Sequence, residues 1–326
     1  MIKIAELIPT PEPSHLSRLC RQAGVDYVVG GLPAGGLLTD TEQPWDFAPL
    51  LRLKEGYEAS GFDLAVIEAR PPLNLTKRGL PGRDEEIATV CTLLENMGKL
   101  GIPTWCYEWM TDFNWLRTST NVRGRGGSLV SAFDASKLAD APPTDLGPID
   151  EDSLWRNLEY FLARVIPVAE IAGVRLAMHP DDPPVSPIRG VGRIMRSVDN
   201  YRRLLDIVPS PVNGITLCQG NFTLMTDDLP SVIREFGRQN KIFFVHFRDV
   251  LGTADNFVET WHDQGKTDFV ACLEAYKEVG FEGLMRPDHV PTVDGDSNES
   301  PGYSTFGRLY AIGYIRGLRD VVYRAS

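Results

Sequence analysis

His179, Cys218, His246 and Asp288 each stand at the end of an apolar run, in LAMHPDDPP, TLCQG, FFVHF and RPDH. Imidazole nitrogens, a thiolate and a carboxylate are competent ligands for a divalent transition metal. The gaps between the four are 39, 28 and 42 residues, each about the length of one strand-plus-helix unit. Taken singly, each has a plainer reading: Cys218 as a small buried hydrophobe, His246 as a hydrogen-bonded core histidine, Asp288 as a turn or helix cap. Recurrence at the same end of successive units joins them into one candidate metal site. Two of the five histidines in the chain fall at these positions, and a third, His289, adjoins Asp288. Of the others, His15 reads as a solvent-facing residue of a first helix turn. His262, in ETWHDQGKTD, reads as a group behind the ligands or one facing a substrate.

Four such groups meet only if the units that carry them are neighbours. Apolar runs at 2–8, 25–29, 63–68, 102–108, 174–178, 213–218, 241–247 and 281–286 read as strands, separated by segments with helical apolar spacing. Glycines 24, 61, 101, 173 and 280 close five of these segments and read as left-handed residues just past a helix. Ser14, Asp46, Asp84, Asp152 and Thr267 read as helix starts. Within 151–172, Leu154, Leu158, Phe161, Leu162, Val165 and Ile166 form one stripe, the face expected to pack on a sheet.

Eight strands alternating with helices predict a parallel sheet covered on both faces. Eight is also the number that closes a (β/α)8 TIM barrel, in which strands lie about 4.8 Å apart and chemistry sits at their C-terminal ends. The chain, 1–326, reads as a single barrel domain. Its longest irregular stretch, about 110–150, is rich in Gly, Ser, Asp and Pro and reads as a loop or lid over the site. A doubly wound open sheet is the alternative, but no GxGxxG follows the first strand. GLPAGG (31–36) and RGRGGS (123–128) lack a P-loop lysine and read as flexible loops.

A net charge of -11 argues against a nucleic-acid surface, which draws on clustered Lys and Arg. A hydrophobic content of 43% suffices for a large core. The five cysteines are odd in number and lack CxxC spacing, so neither a disulfide framework nor a zinc ribbon is expected. A reducing cytoplasm is the expected compartment. No run of about 18 apolar residues predicts a membrane span, and the N-terminal residues do not read as a signal peptide.

At the level of motifs the chain resembles the mannonate dehydratase family, a branch of the xylose isomerase-like barrels. The resemblance rests on IPVAEIAGVRLAMHPDDPP (166–184), NGITLCQGN (213–221), FFVHFRDV (243–250), NFVETWHDQGKTD (256–268), MRPDH (285–289) and PGYSTFGRLYAIGYIRG (301–317). CYEWMTDFNWLRT (106–118) is a looser match. The resemblance implies a divalent ion, typically Mn²⁺ with Fe²⁺, Co²⁺ or Zn²⁺ as alternatives, held by His179, Cys218, His246 and Asp288. It further implies His289 and Tyr303 as the acid and base, in an order left open, and conversion of D-mannonate to 2-keto-3-deoxy-D-gluconate. It also implies a homo-oligomer. A cationic side chain should meet the carboxylate of the sugar acid; Arg117 and Arg286 are the candidates, with His262 a further substrate-facing residue.

Departures from the family pattern concentrate in the first half. GGLPAGG stands where a histidine follows the second strand, and EARPPLNLTKRG replaces a segment with a histidine and an acid. Val290 follows His289 where glycine is usual, CQGN differs beside Cys218, and the segment between the fourth and fifth strands is shorter. A substrate related to D-mannonate is therefore a second expectation. Competing readings are a metal-dependent sugar or keto-acid isomerase or epimerase, against which the thiolate counts, and a non-catalytic sugar-acid-binding barrel. A phosphodiester-cleaving endonuclease would need more carboxylate ligands and a basic face.

Overall fold

The computed structural model describes residues 1–324, in which the apolar runs become strands and the amphipathic segments helices. The order is β1 (Lys3–Leu7), α1 (His15–Gln22), β2 (Tyr27–Gly30), α2 (Phe47–Ala59), β3 (Asp63–Ile67), α3 (Asn74–Arg78), α4 (Arg83–Leu100), β4 (Thr104–Glu108), β5 (Ser119–Arg123), β6 (Leu129–Asp134) and α5 (Glu151–Ala172). It continues with β7 (Arg175–His179), α6 (Val198–Ile207), β8 (Asn213–Cys218), α7 (Gln219–Met225), α8 (Leu229–Arg238), β9 (Ile242–Phe247), β10 (Val250–Thr253), β11 (Asn256–Glu259), α9 (Phe269–Glu278), β12 (Leu284–Pro287) and α10 (Thr305–Arg324).

Eight strands close a barrel in the order β1-β12-β9-β8-β7-β4-β3-β2, and every pairing is parallel. The expected (β/α)8 class therefore stands. The stripe predicted on α5 is wholly buried; each such side chain contributes about 1.5–3 kcal/mol of hydrophobic stabilisation. Among the described residues no helix is long and apolar enough to cross a membrane.

Register decides which side chains share the barrel mouth. Cys218 pairs with His246, His246 with Arg286, and Glu108 with His179. Residues paired across parallel strands lie on the same face, and the side-chain period of two puts Asp288 on the face of Arg286, and Arg248 on that of His246.

The five helix-closing glycines all adopt the left-handed conformation expected of them, with φ between 68° and 82°. Helix starts fit less closely. Ser14 and Asp46 are caps, but the residues before α4, α5 and α9 are Gly82, Asp150 and Asp268. Asp84 and Asp152 lie inside the first turn, where their charge still favours the helix dipole. Thr267 is drawn away by Asp249, to which its hydroxyl donates at 2.7 Å.

The larger difference concerns residues 110–150. This stretch carries β5 and β6, which join β10 and β11 in a four-stranded antiparallel sheet of order β10-β11-β6-β5. RGRGGS is the turn of the β5–β6 hairpin. Most side chains of β5 and β10 are at least partly exposed, so no apolar alternation marks them. Phe133 and Phe257, paired across β6 and β11, pack with Ile188 and Val250 in a small core of their own.

Candidate active site

At the C-terminal mouth the nitrogens of His179 and His246 and the sulfur of Cys218 lie within 4.8 Å of one another. His179 Nε2 is 3.2 Å from His246 Nδ1, and Asp288 Oδ2 is 3.6 Å from that same nitrogen and 4.0 Å from Cys218 Sγ. Atoms bound about 2.0–2.3 Å from a common ion stand at separations of this order. The Nδ1–H of His179 donates to the Pro180 carbonyl at 2.7 Å. A carbonyl only accepts, so the lone pair of this imidazole is on Nε2, facing the group.

The charges fit a cation as well. Burial alone raises the Cys218 thiol, but Arg248, 3.6 Å away, together with His179 and His246 brings it down to about 6, into the thiolate form that binds metals. Burial and Arg286 disfavour a charged His246, yet Glu68 and Asp288 hold it well above its usual range. The convergent lone pairs thus draw positive charge onto the site. A second group, Glu68, Cys106 and His246, meets at the other edge of the His246 ring. It fits an ion less well: Arg286 already binds both oxygens of Glu68, at 2.7 and 3.0 Å, and burial raises the Cys106 thiol.

Asp288 links this group to the cavity. Its Oδ1 accepts from Arg286 at 3.0 Å and from the Tyr303 hydroxyl at 3.3 Å, and lies 3.7 Å from His289 Nε2. Burial raises the Asp288 carboxyl, but the positive charge of His289 in its protonated form, of Arg286 and of His246 holds it well below the usual carboxylate range. Burial and the Asp288 charge push the Tyr303 phenol up, so it keeps its proton. Asp288 and Tyr303 belong to the chain between β12 and α10, where His289 has a φ of 34°, a conformation uncommon for a residue with a Cβ.

His289 donates from Nδ1 to Glu259 Oε1 at 3.1 Å, which leaves its Nε2 lone pair toward the cavity. Glu259 ends β11, and a buried lattice of charge holds it. Arg117 donates to Glu259 at 3.2 Å and to both oxygens of Asp182 at 2.6 and 3.0 Å; Arg248 bridges Glu259 at 2.9 Å and Asp182 at 2.7 Å. Burial opposes both carboxylates, but the two guanidinium groups hold Asp182 and Glu259 below their ordinary range. Charges removed from water this completely persist only when paired.

These groups open on a cavity of about 510 Å³, walled in part by Arg70, Glu108, Asn114 and Trp115. His179, His246, Arg286, Asp288, His289 and Tyr303 all line it. Cys218 is fully buried behind the wall.

Two residues expected to face the substrate do not line the cavity. The side chain of Arg117 is fully buried, its guanidinium taken by Asp182 and Glu259, and it is not part of the cavity wall. His262 is also buried away from the cavity: it donates from Nε2 to the Phe247 carbonyl at 2.8 Å and stacks on the Phe247 ring. Burial depresses its pKa to about 4. Neither Asp181 nor Asp182 orients an imidazole; Asp181 accepts from the Met195 amide.

Glu68, Arg248 and Glu259 are the site groups that motif reading passed over. Arg248 and Glu68 carry a signal in retrospect, each lying one residue past a barrel strand. Glu259 carries none, because it reaches His289 only through the second sheet.

The chain is a closed parallel (β/α)8 barrel with a candidate metal-ligand group at its C-terminal mouth. Its fold is shared with D-psicose 3-epimerase from Clostridium cellulolyticum H10, at a TM-score of 0.64 and 14% identity over 98% of this chain and 99% of that one. The likeness to a mannonate dehydratase structure from Streptococcus suis serotype 2 is far greater, with a TM-score of 0.91 and 32% identity over 99% of this chain and 94% of that one. The family model for D-mannonate dehydratase (UxuA) matches residues 11–148 and 144–326. The mannonate dehydratase of Thermotoga neapolitana is 34% identical over 94% of this chain and 93% of its own length; that of Streptococcus equi subsp. zooepidemicus is 35% identical over 93% and 88%. The chain belongs to the mannonate dehydratase family of hydro-lyases.

Proposed function

We propose that this protein removes water from D-mannonate to give 2-keto-3-deoxy-D-gluconate, with His289 as base and Tyr303 as acid. The observation that carries the reading is the pair of opposed proton positions beside Asp288: His289 presents a lone pair, Tyr303 a proton. His289 Nε2 takes the C2 proton, and the C2–H electron pair forms the C2–C3 double bond as the C3–O bond breaks. Tyr303 gives its proton to the departing hydroxyl, so water leaves, and the enol returns to the 2-keto acid.

His179, Cys218, His246 and Asp288 would hold the divalent ion, Mn²⁺ being our assignment. When bound, it neutralises the charge that develops beside the carboxylate, as a Lewis acid. The Glu259 carboxylate keeps the His289 ring in one orientation and tautomer. Arg286 fixes Asp288 between the two proton-transfer groups.

The test is metal analysis of the purified protein and incubation with D-mannonate before and after chelation. Formation of a 2-keto-3-deoxy acid that stops on chelation and returns with Mn²⁺ is expected. A ketose or epimer without deoxy product would replace this reading with isomerisation, and tight hexonate binding with no product would make the barrel a binding protein.

A further inference from the structure

Two guanidinium groups, Arg70 and Arg286, line the cavity, and they differ in what they have left to give. Arg286 is 1% exposed and four of its five N–H groups are engaged: Nε and Nη2 donate to Glu68 at 3.0 and 2.7 Å, and Nη1 donates to Asp288 at 3.0 Å and to the Pro287 carbonyl at 2.8 Å. Arg70, three residues past β3, keeps 20% of its side chain exposed. Its Nε donates to Glu108, but its Nη1 and Nη2 contacts, to the Pro71 carbonyl and Asn114 Oδ1, are 3.5 and 3.4 Å long. Such lengths lie beyond the usual 2.7–3.2 Å range.

Glu108 does not cancel Arg70, because a second cation shares it. Lys77 Nζ donates to both Glu108 oxygens at 3.0 and 3.0 Å and to the Met110 carbonyl at 2.8 Å. That uses all three ammonium donors, and Lys77 is fully buried. It cannot reach a ligand; it neutralises Glu108 from behind. Arg70 and Lys77 thus share the one carboxylate to which both are bonded, which leaves the Nη edge of Arg70 with charge to give.

We infer that Arg70 is the carboxylate-recognition residue of the cavity, its Nη edge receiving the carboxylate of the sugar acid, with Glu108 and Lys77 as positioning residues. A planar fork with weakly held N–H groups matches a carboxylate in two-point contact. The inference rests on the sugar-acid reading above and assigns to Arg70 the role expected from the sequence of Arg117 or Arg286.

The test compares D-mannonate with its neutral amide, D-mannonamide, by calorimetry on metal-loaded Tyr303→Phe protein, with Arg70 intact or replaced. With Arg70, the acid is expected to bind at least about tenfold more tightly than the amide, the order of one charge-assisted contact. In Arg70→Met and Arg70→Gln that preference should shrink to within about twofold, and Arg70→Lys should restore part of it. No preference with Arg70 present, or a preference that survives in whichever neutral variant folds, overturns the assignment. Product formation by the unaltered enzyme is scored separately, so a failed dehydratase reading is distinguishable from a failed role for Arg70.

Discussion

Glu259 accepts the Nδ1–H of His289 at 3.1 Å, joining the end of a strand outside the barrel to the residue that follows Asp288. A histidine buried beside a carboxylate is restricted to one tautomer, and here the free nitrogen is the one at the cavity.

Glu259→Gln is expected to lower kcat by about 10²-fold or more, within the range that positioned acid–base groups supply. Metal content should be unchanged. His289→Asn should lose at least as much turnover while keeping thermal stability closer to that of the parent, since Glu259 retains Arg117 and Arg248. Equal kcat for Glu259→Gln and the parent would remove Glu259 from the mechanism.

Tyr303→Phe removes one hydroxyl beside Asp288 and nothing from the ligand group. Turnover should fall by about 10²–10⁴-fold with full metal occupancy. Elemental analysis alongside a steady-state assay separates this from a loss of the ion.

Cys218→Ser and His246→Ala should each strip the protein of its metal. Cys106→Ser should retain it, because the assignment places the ion on the Cys218 side of the His246 ring and not among Glu68, Cys106 and His246. Metal lost from Cys106→Ser but kept by Cys218→Ser would move the ion to the other group.

Arg117→Met is expected to destabilise the fold by about 3–5 kcal/mol, because Asp182 and Glu259 lose a buried partner. In the fraction that folds, kcat should fall while KM for D-mannonate stays within about threefold. A selective rise in KM would return Arg117 to the substrate.

His262 supplies a pH signature. Its folded pKa, about 4, lies below the unfolded value near 6.5, so the unfolded chain binds the extra proton first. The stability it contributes is complete above pH 6.5 and is lost as pH falls toward 4. Nδ1 has no hydrogen-bond partner to receive the new charge. Urea midpoints of chelated protein should therefore drop along this limb, and the advantage of the parent over His262→Gln should shrink by about 3 kcal/mol from pH 6.5 to 4. A constant difference across that range would show that His262 does not titrate on unfolding.

The barrel was legible in the sequence because its signals are local. Apolar runs bounded by glycines such as Gly101 and Gly173 report strand and helix without knowledge of partners, and their number and spacing imply closure. The proximity of His179, Cys218, His246 and Asp288 was legible for the same reason: lying at or beside the end of a strand is a one-dimensional property that becomes convergence once the sheet closes. What Arg117, His262 and Glu259 do was not written locally. An arginine bears the same sign wherever it lies, and whether it meets a substrate or two buried carboxylates depends on which loops stack above the mouth. Only the tertiary structure decided that, because the antiparallel sheet that brings Glu259 to His289 joins segments more than a hundred residues apart through strands with little apolar pattern. Ion pairing across such distances is selected by burial and register after the chain has folded.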